Sequence, residues 1–178
     1  MRSQPRKERL LETAFRLFNR QGYHATGIDQ ILAESGVAKA TLYKYFPSKD
    51  ALILAVLEQR HAELEKRLTL SLSQSQGKEK VLAIFDVLDL WFHSESFQGC
   101  NFIQASGEYA DPQHPIHQAA AAHKRWFKDL LAESLENASL SAPLMLLVDG
   151  AIVAAQVRGE LNAAKLARQT AQRLLNAE

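Results

Sequence analysis

The sequence predicts an all-α fold of about nine helices, with a three-helix N-terminal domain (residues 1–47) joined to a larger helical domain (residues 48–178). Three observations predict it. Apolar residues recur at intervals of three and four in successive segments, which places them on one helical face. No segment shows the period-two alternation of a half-buried strand. Gly22, Gly36, Pro47, Gly77, Pro115 and Gly159 fall at the boundaries of the periodic segments, where they end one helix or admit the next.

The first helix should span residues 5–20, with Leu10, Leu11, Ala14, Leu17 and Phe18 as its core stripe and Gly22 as its stop. Residues 2–7 read either as a solvated tail or as an arm whose Arg2, Arg6 and Lys7 reach a nucleic-acid backbone. Residues 26–49, TGIDQILAESGVAKATLYKYFPSK, carry two short helices and a tight turn. Thr26 is a good N-cap, with Asp29 three residues on. Ile28, Ile31 and Leu32 share a face, Gly36 provides a left-handed C-cap, and Val37 should plug the gap between the helices. In the third helix Leu42 and Phe46 should point inward. Lys39, Ala40, Thr41, Tyr43, Lys44 and Tyr45 are left on or near the surface. Cations, a hydroxyl and two tyrosines on a short exposed helix suit phosphate contact and base-edge reading, and the layout is a helix-turn-helix. Pro47 closes it, because the residue before a proline avoids helical geometry. Ser48 should cap the fourth helix, whose free amides and adjacent Lys49 form a phosphate site.

The fourth helix should be long, residues 49–72, and the polar stretch 71–78 should interrupt the pattern. A fifth helix (78–93) carries Val81, Ile84, Phe85, Leu88, Trp91 and Phe92. A short sixth ends near Gly107, and Pro115 opens a seventh running to about residue 136. The eighth (142–158) and ninth (162–176) are rich in alanine and glycine, which permits close helix approach.

The run AESGVAKATLYKYFPSKDAL resembles the DNA-binding signature of TetR/AcrR-type transcriptional regulators. Thr26, Ile28, Ile31, Ala33, Gly36, Val37, Lys39, Leu42, Tyr43, Tyr45, Phe46, Ser48, Lys49 and Leu52 carry the match. Ala14, Leu17, Phe18, Gly22 and Tyr23 extend it into the first helix, so it covers roughly the first 55 residues. The resemblance implies a ligand-responsive regulator, most often a repressor, that binds double-stranded DNA as a homodimer in the cytoplasm. It implies DNA contacts from Thr26, Lys39, Ala40, Thr41, Tyr43, Lys44, Tyr45 and Lys49. Many family members carry glycine where Ala40 stands, so the half-site cannot be borrowed from a relative. The last two helices should form the dimer interface, through Leu144, Leu147, Val148, Ala151, Ile152, Ala155, Leu166, Thr170 and Leu174. An effector pocket should draw on Phe85, Leu88, Trp91, Phe92, Cys100, Phe102, Ile103, Gln104, His123, Trp126 and Phe127, an aromatic set with a few polar groups. Core packing is the alternative role for each of those aromatics.

Charge agrees with a nucleic-acid-binding head. Residues 1–50 hold nine Lys/Arg against five Asp/Glu, while residues 51–178 hold twelve against fifteen. No apolar run approaches the ~20 residues that span a bilayer. One cysteine excludes an internal disulfide. Cys100 is a candidate oxidant sensor or a small buried apolar residue. His114, His117 and His123, with Asp111 and Glu108, are candidate metal ligands, but Pro115 between the first two opposes convergence, and neither metal nor cofactor is expected. No nucleophile–base spacing points to an enzyme. The rival readings are a helical small-molecule-binding protein without DNA function and a DNA binder without an effector.

Overall fold

The computed structural model describes residues 5–177. Among them are nine α-helices, one 3₁₀ turn and no strand. In chain order these are α1 (Arg6–Gln21), α2 (Ile28–Ser35), α3 (Lys39–Tyr45), α4 (Lys49–Leu72), α5 (Lys78–Phe92), α6 (Asn101–Glu108), α7 (Pro115–Glu133), the 3₁₀ turn Ala138–Leu140, α8 (Ser141–Arg158) and α9 (Ala163–Asn176). Most boundaries fall within two residues of expectation, because glycine and proline act locally. The exception is α7, which stops three residues early. There the Ser134 hydroxyl turns back to donate to the Leu130 carbonyl at 2.9 Å, competing with the backbone ladder.

The chain forms two compact units. One takes residues up to 61 together with 101–121; the other takes 62–100 and the residues from 122 onward. This division differs from the boundary at residues 47/48 expected from the sequence. It falls inside α4 and inside α7, because α6 and the start of α7 pack with the N-terminal helices.

In the first unit α1 packs on α2 and α3. Leu10, Ala14, Leu17, Phe18, Ile31, Leu42, Leu52 and Ile53 have no exposed surface, and each large side chain contributes about 1.5–3 kcal/mol by burial. Val37 and Phe46 are also buried, as expected of the turn plug and the last inward residue of α3. Arg6 and Lys7 are not part of an arm: they begin α1, with Pro5 at its N-cap. Arg2 lies outside the described residues. Thr26 is not the N-cap of α2; Gly27 is. The Thr26 hydroxyl is fully buried and donates to the Gly22 carbonyl at 2.7 Å, so it does not face solvent. The positive φ of Gly22 (91°) ends α1 and leaves that carbonyl in need of a donor.

In the second unit α5 packs against α9 and α8. Ala164, Ala167 and Ala171 are buried and let α9 lie close. Ion pairs Arg168–Asp86 (2.9 Å) and Lys165–Asp89 (3.7 Å) link α9 to α5, Lys124–Asp149 (2.6 Å) links α7 to α8, and the Lys78 ammonium donates to the Leu175 carbonyl.

Helix α8 requires two corrections. Leu144, Val148, Ala151, Ile152 and Ala155, expected at a subunit interface, are at most 5% exposed and belong to the protomer's own core. Leu147, Thr170 and Leu174 are half-buried, and only Leu166 of that set is largely exposed. The other side of α8 is also apolar: Leu146, Gly150, Val153 and Val157 are exposed at spacings of four, three and four. Because both sides are apolar, residues 138–158 include a stretch long and apolar enough to cross a membrane by length and composition, contrary to the sequence expectation. Some 44% of that stretch is buried, as in the core helix of a folded domain.

Replacing Gly22 by alanine forces a Cβ to within 2.8 Å of Glu108 Oε1 and a side chain into positive φ. Gly22→Ala is expected to cost about 1–3 kcal/mol, read as a lower urea midpoint with an unchanged denaturant slope.

Candidate nucleic-acid interface

The exposed face of α3 follows from its anchoring. Leu42 is fully buried and Phe46 nearly so, which with a 3.6-residue period turns Lys39, Ala40, Tyr43 and Lys44 outward. Tyr43 and Tyr45 are 43% and 42% exposed, high for aromatic side chains, and Thr41 is half-buried at the margin. Lys39 sits 3.6 Å from Asp29 of α2, with both side chains well exposed. Such a pair contributes little, so Lys39 can exchange it for a phosphate at small cost. Of the expected DNA-facing set, the structure brings Lys39, Ala40, Tyr43, Lys44 and Tyr45 to the surface of α3, with Thr41 at its edge. Thr26 is excluded by its burial.

Beside α3, the Ser48 hydroxyl accepts from the Ala51 amide at 3.0 Å and caps α4 as expected. Lys49 Nζ donates to the His24 carbonyl at 3.2 Å. Partial burial pulls the Lys49 ammonium below its ordinary pKa, while the nearby Glu108 and Asp50 carboxylates pull it upward.

A cluster behind Lys49 was not foreseen. Glu108, the last residue of α6, accepts the Tyr23 amide on Oε1 at 2.9 Å and the His24 amide on Oε2 at 2.6 Å, with His24 Nδ1 3.3 Å away. Tyr109 lies between the rings of His24 and His114, 4.7 Å from each. His114 Nε2 is 3.5 Å from Asp50 Oδ2 in the first turn of α4, and His117 Nδ1 is 2.7 Å from the Tyr109 carbonyl. Glu108, His114 and His117, weighed above as metal ligands, are thus engaged in hydrogen bonds and ring contacts. Burial, and then Asp50 and Glu108, push the Tyr109 phenol up to about 12. Nothing local in the sequence signals this cluster, since His24 and Glu108 are 84 residues apart.

The residues expected around an effector divide between the units. Phe102, Ile103 and Gln104 belong to the first; Phe85, Leu88, Trp91, Phe92, Cys100, His123, Trp126 and Phe127 belong to the second. In the second unit Trp91 packs edge-on against Phe97 (4.9 Å) and beside Phe92 (5.7 Å), while Trp126 meets His123 (5.6 Å) and Phe127 (5.9 Å). Phe85, Leu88, Phe92, His123 and Phe127 are buried; the two tryptophans are half-buried. Cys100 is buried, and its amide donates to Gln156 Oε1 at 3.2 Å.

Comparison with known proteins agrees with this geometry. Residues 10–56 match the family described as bacterial regulatory proteins, tetR family. The chain is 30% identical over 134 residues to the HTH-type transcriptional repressor NemR of Escherichia coli K12, covering 74% of this chain and 67% of NemR. It is 30% identical over 135 residues to the uncharacterized HTH-type transcriptional regulator YxaF of Bacillus subtilis 168, covering 74% and 71%. The crystal structure of SCO4454, a TetR-family transcriptional regulator from Streptomyces coelicolor, is similar with a TM-score of 0.90 and 34% identity over 97% of this chain and 95% of that one.

The raised phenol gives an alkaline signature. Unfolded tyrosine ionises near 10.0 and the folded one near 12, so this contribution is whole below pH 10 and is lost as pH rises toward 12. Tyr109→Phe is expected to flatten that part of the stability profile, measured by urea unfolding from pH 9 to 12 as a difference between the two proteins.

Proposed function

Since the chain belongs to the TetR family of bacterial transcriptional regulators, we propose that it acts in the cytoplasm as a ligand-responsive repressor. It binds a palindromic operator as a homodimer and leaves it when a small-molecule effector binds. The exposed face of α3 carries this reading. Two lysines and two tyrosines stand out from a helix anchored in the core by Leu42 and the following Phe46, and core packing requires none of the four. Lys39, Ala40, Thr41 and Tyr43 meet base edges or the phosphates beside them, and Lys44, Tyr45 and Lys49 hold the backbone with the amides at the start of α4.

Dimerisation follows from specificity and from α8. A two-turn helix reads too few bases by itself, while two copies read a palindrome whose half-sites lie about a helical turn or a multiple apart. One apolar side of α8 is taken up by the protomer's core, and Leu146, Val153 and Val157 remain uncovered on the other, with Leu166 exposed on α9. A two-fold axis beside this stripe covers it with its own copy. The effector is an apolar, aromatic-compatible molecule held within the second unit near Trp91, Phe97 and Trp126. Repression is the sign carried by the name of the relative NemR.

Selection of bound duplexes from a random library tests the whole reading. A palindromic motif that survives moderate salt is the expected result; sequence-blind binding that disappears with salt would leave only a helical ligand-binding protein. On the selected duplex, Lys44→Ala is expected to weaken binding to all sequences and lower the salt slope by about one charge, read by fluorescence anisotropy. Tyr43→Ala is expected to change the selected motif. Val153→Glu with Val157→Glu should convert a dimer at micromolar concentration to a monomer by sedimentation velocity. A dimer that survives this pair of substitutions would place the interface elsewhere.

A further inference from the structure

We infer that Glu108 is a positioning residue for DNA binding, setting the Lys49 phosphate contact through the backbone of His24. The inference rests on the DNA-binding reading above and adds a residue to it. Four observations within the first unit converge on one carboxylate. Both oxygens of Glu108 are used, on the successive amides of Tyr23 and His24. Gly22, immediately before these amides, has a positive φ of 91°, and the chain turns there. The same glycine leaves the space the carboxylate needs, since a Cβ would stand 2.8 Å from Oε1. His24, held by Glu108 through its N–H, presents the carbonyl of its next peptide to Lys49 Nζ at 3.2 Å.

The consequence is a short physical chain. Glu108 ends α6, the backbone of His24 lies next to it with its N–H toward Glu108 and its carbonyl toward Lys49, and Lys49 begins α4. The other end of α6 is held as well: the buried Tyr23 hydroxyl donates to the Asn101 carbonyl at 3.0 Å, and Asn101 Nδ2 donates to Asn19 Oδ1 at 3.2 Å. Loss of the carboxylate leaves the two amides at the α1–α2 corner without their acceptor and removes the negative charge that supports the Lys49 ammonium. His114 beside Asp50 gives the segment after α6 a second hold on the first turn of α4. The Glu108 carboxylate is therefore read in the affinity of the head for phosphate, without sequence preference.

The test uses the full chain, the selected palindromic duplex and an unrelated duplex, across a series of salt concentrations. Glu108→Gln keeps the shape but presents an amide where two N–H groups need acceptors. It is expected to weaken binding to both duplexes about tenfold and to lower the salt slope by about one charge. With Lys49→Met already present, Glu108→Gln should add almost nothing, because the two act as one unit. Binding equal to wild type, or a loss fully additive with Lys49→Met, overturns the inference. Should Glu108→Gln fail to fold, Glu108→Asp, which draws the charge back by one methylene, is read in the same way. If the wild type selects no motif, the DNA reading fails by itself, and the Lys49 titration followed by NMR then judges the positioning. A lower Lys49 titration in Glu108→Gln supports it, and an unchanged one overturns it.

Discussion

Much of the first unit depends on how one buried tyrosine is satisfied. Tyr23 has no exposed surface, yet its hydroxyl and its amide both need partners in a place water does not reach. The hydroxyl finds the Asn101 carbonyl and the amide finds Glu108, so the two ends of α6 are set by one residue at the end of α1. Its ring packs 5.1 Å from Phe18 and 6.5 Å from Tyr109, tying the same corner to the core of α1 and to the segment after α6. The orientation of α2, and hence of α3, starts from this corner.

The recognition surface is built the opposite way. On α3 the apolar residues are fully used in anchoring, and the outward residues make only weak local contacts. Lys39 holds Asp29 across an exposed 3.6 Å gap, and Arg16 holds Glu34 at 2.7 Å on the outer side of α1 and α2. The Arg16 hydrogen bond, then that from Gln30, keep the Glu34 carboxyl below its ordinary range. Such contacts keep a basic surface ordered without committing it, because solvent screens them and a phosphate can replace them. The rigid part of the head is its core, and the exchangeable part is its surface.

Helix positions were legible from the sequence wherever one residue acts on its neighbours. Gly36 and Gly159 end helices by taking positive φ, and Ser48 begins one with its own hydroxyl. Leu42 and Phe46, four apart, announced which face of α3 is buried. Thr26 was misread because a threonine before a helix is usually its cap, whereas here the Gly22 carbonyl, exposed by the break in α1, competes for the hydroxyl and wins. On α8 the apolar residues form two stripes. Periodicity alone does not say which stripe meets the protomer's core, and Leu144 and Val148 proved to be inside while Leu146 and Val153 are outside.

What the sequence by itself determined is the local order: the helices, most of their ends, the basic surface of α3 and the family to which these belong. Those features arise from neighbours within a turn or two, so a linear reading reaches them. The tertiary structure alone decided that α6 packs with the N-terminal helices, that Glu108 occupies the amides of Tyr23 and His24, and which side of α8 remains uncovered. The physical reason is that a carboxylate and the amides it satisfies need no fixed spacing along the chain, and 84 residues separate His24 from its partner.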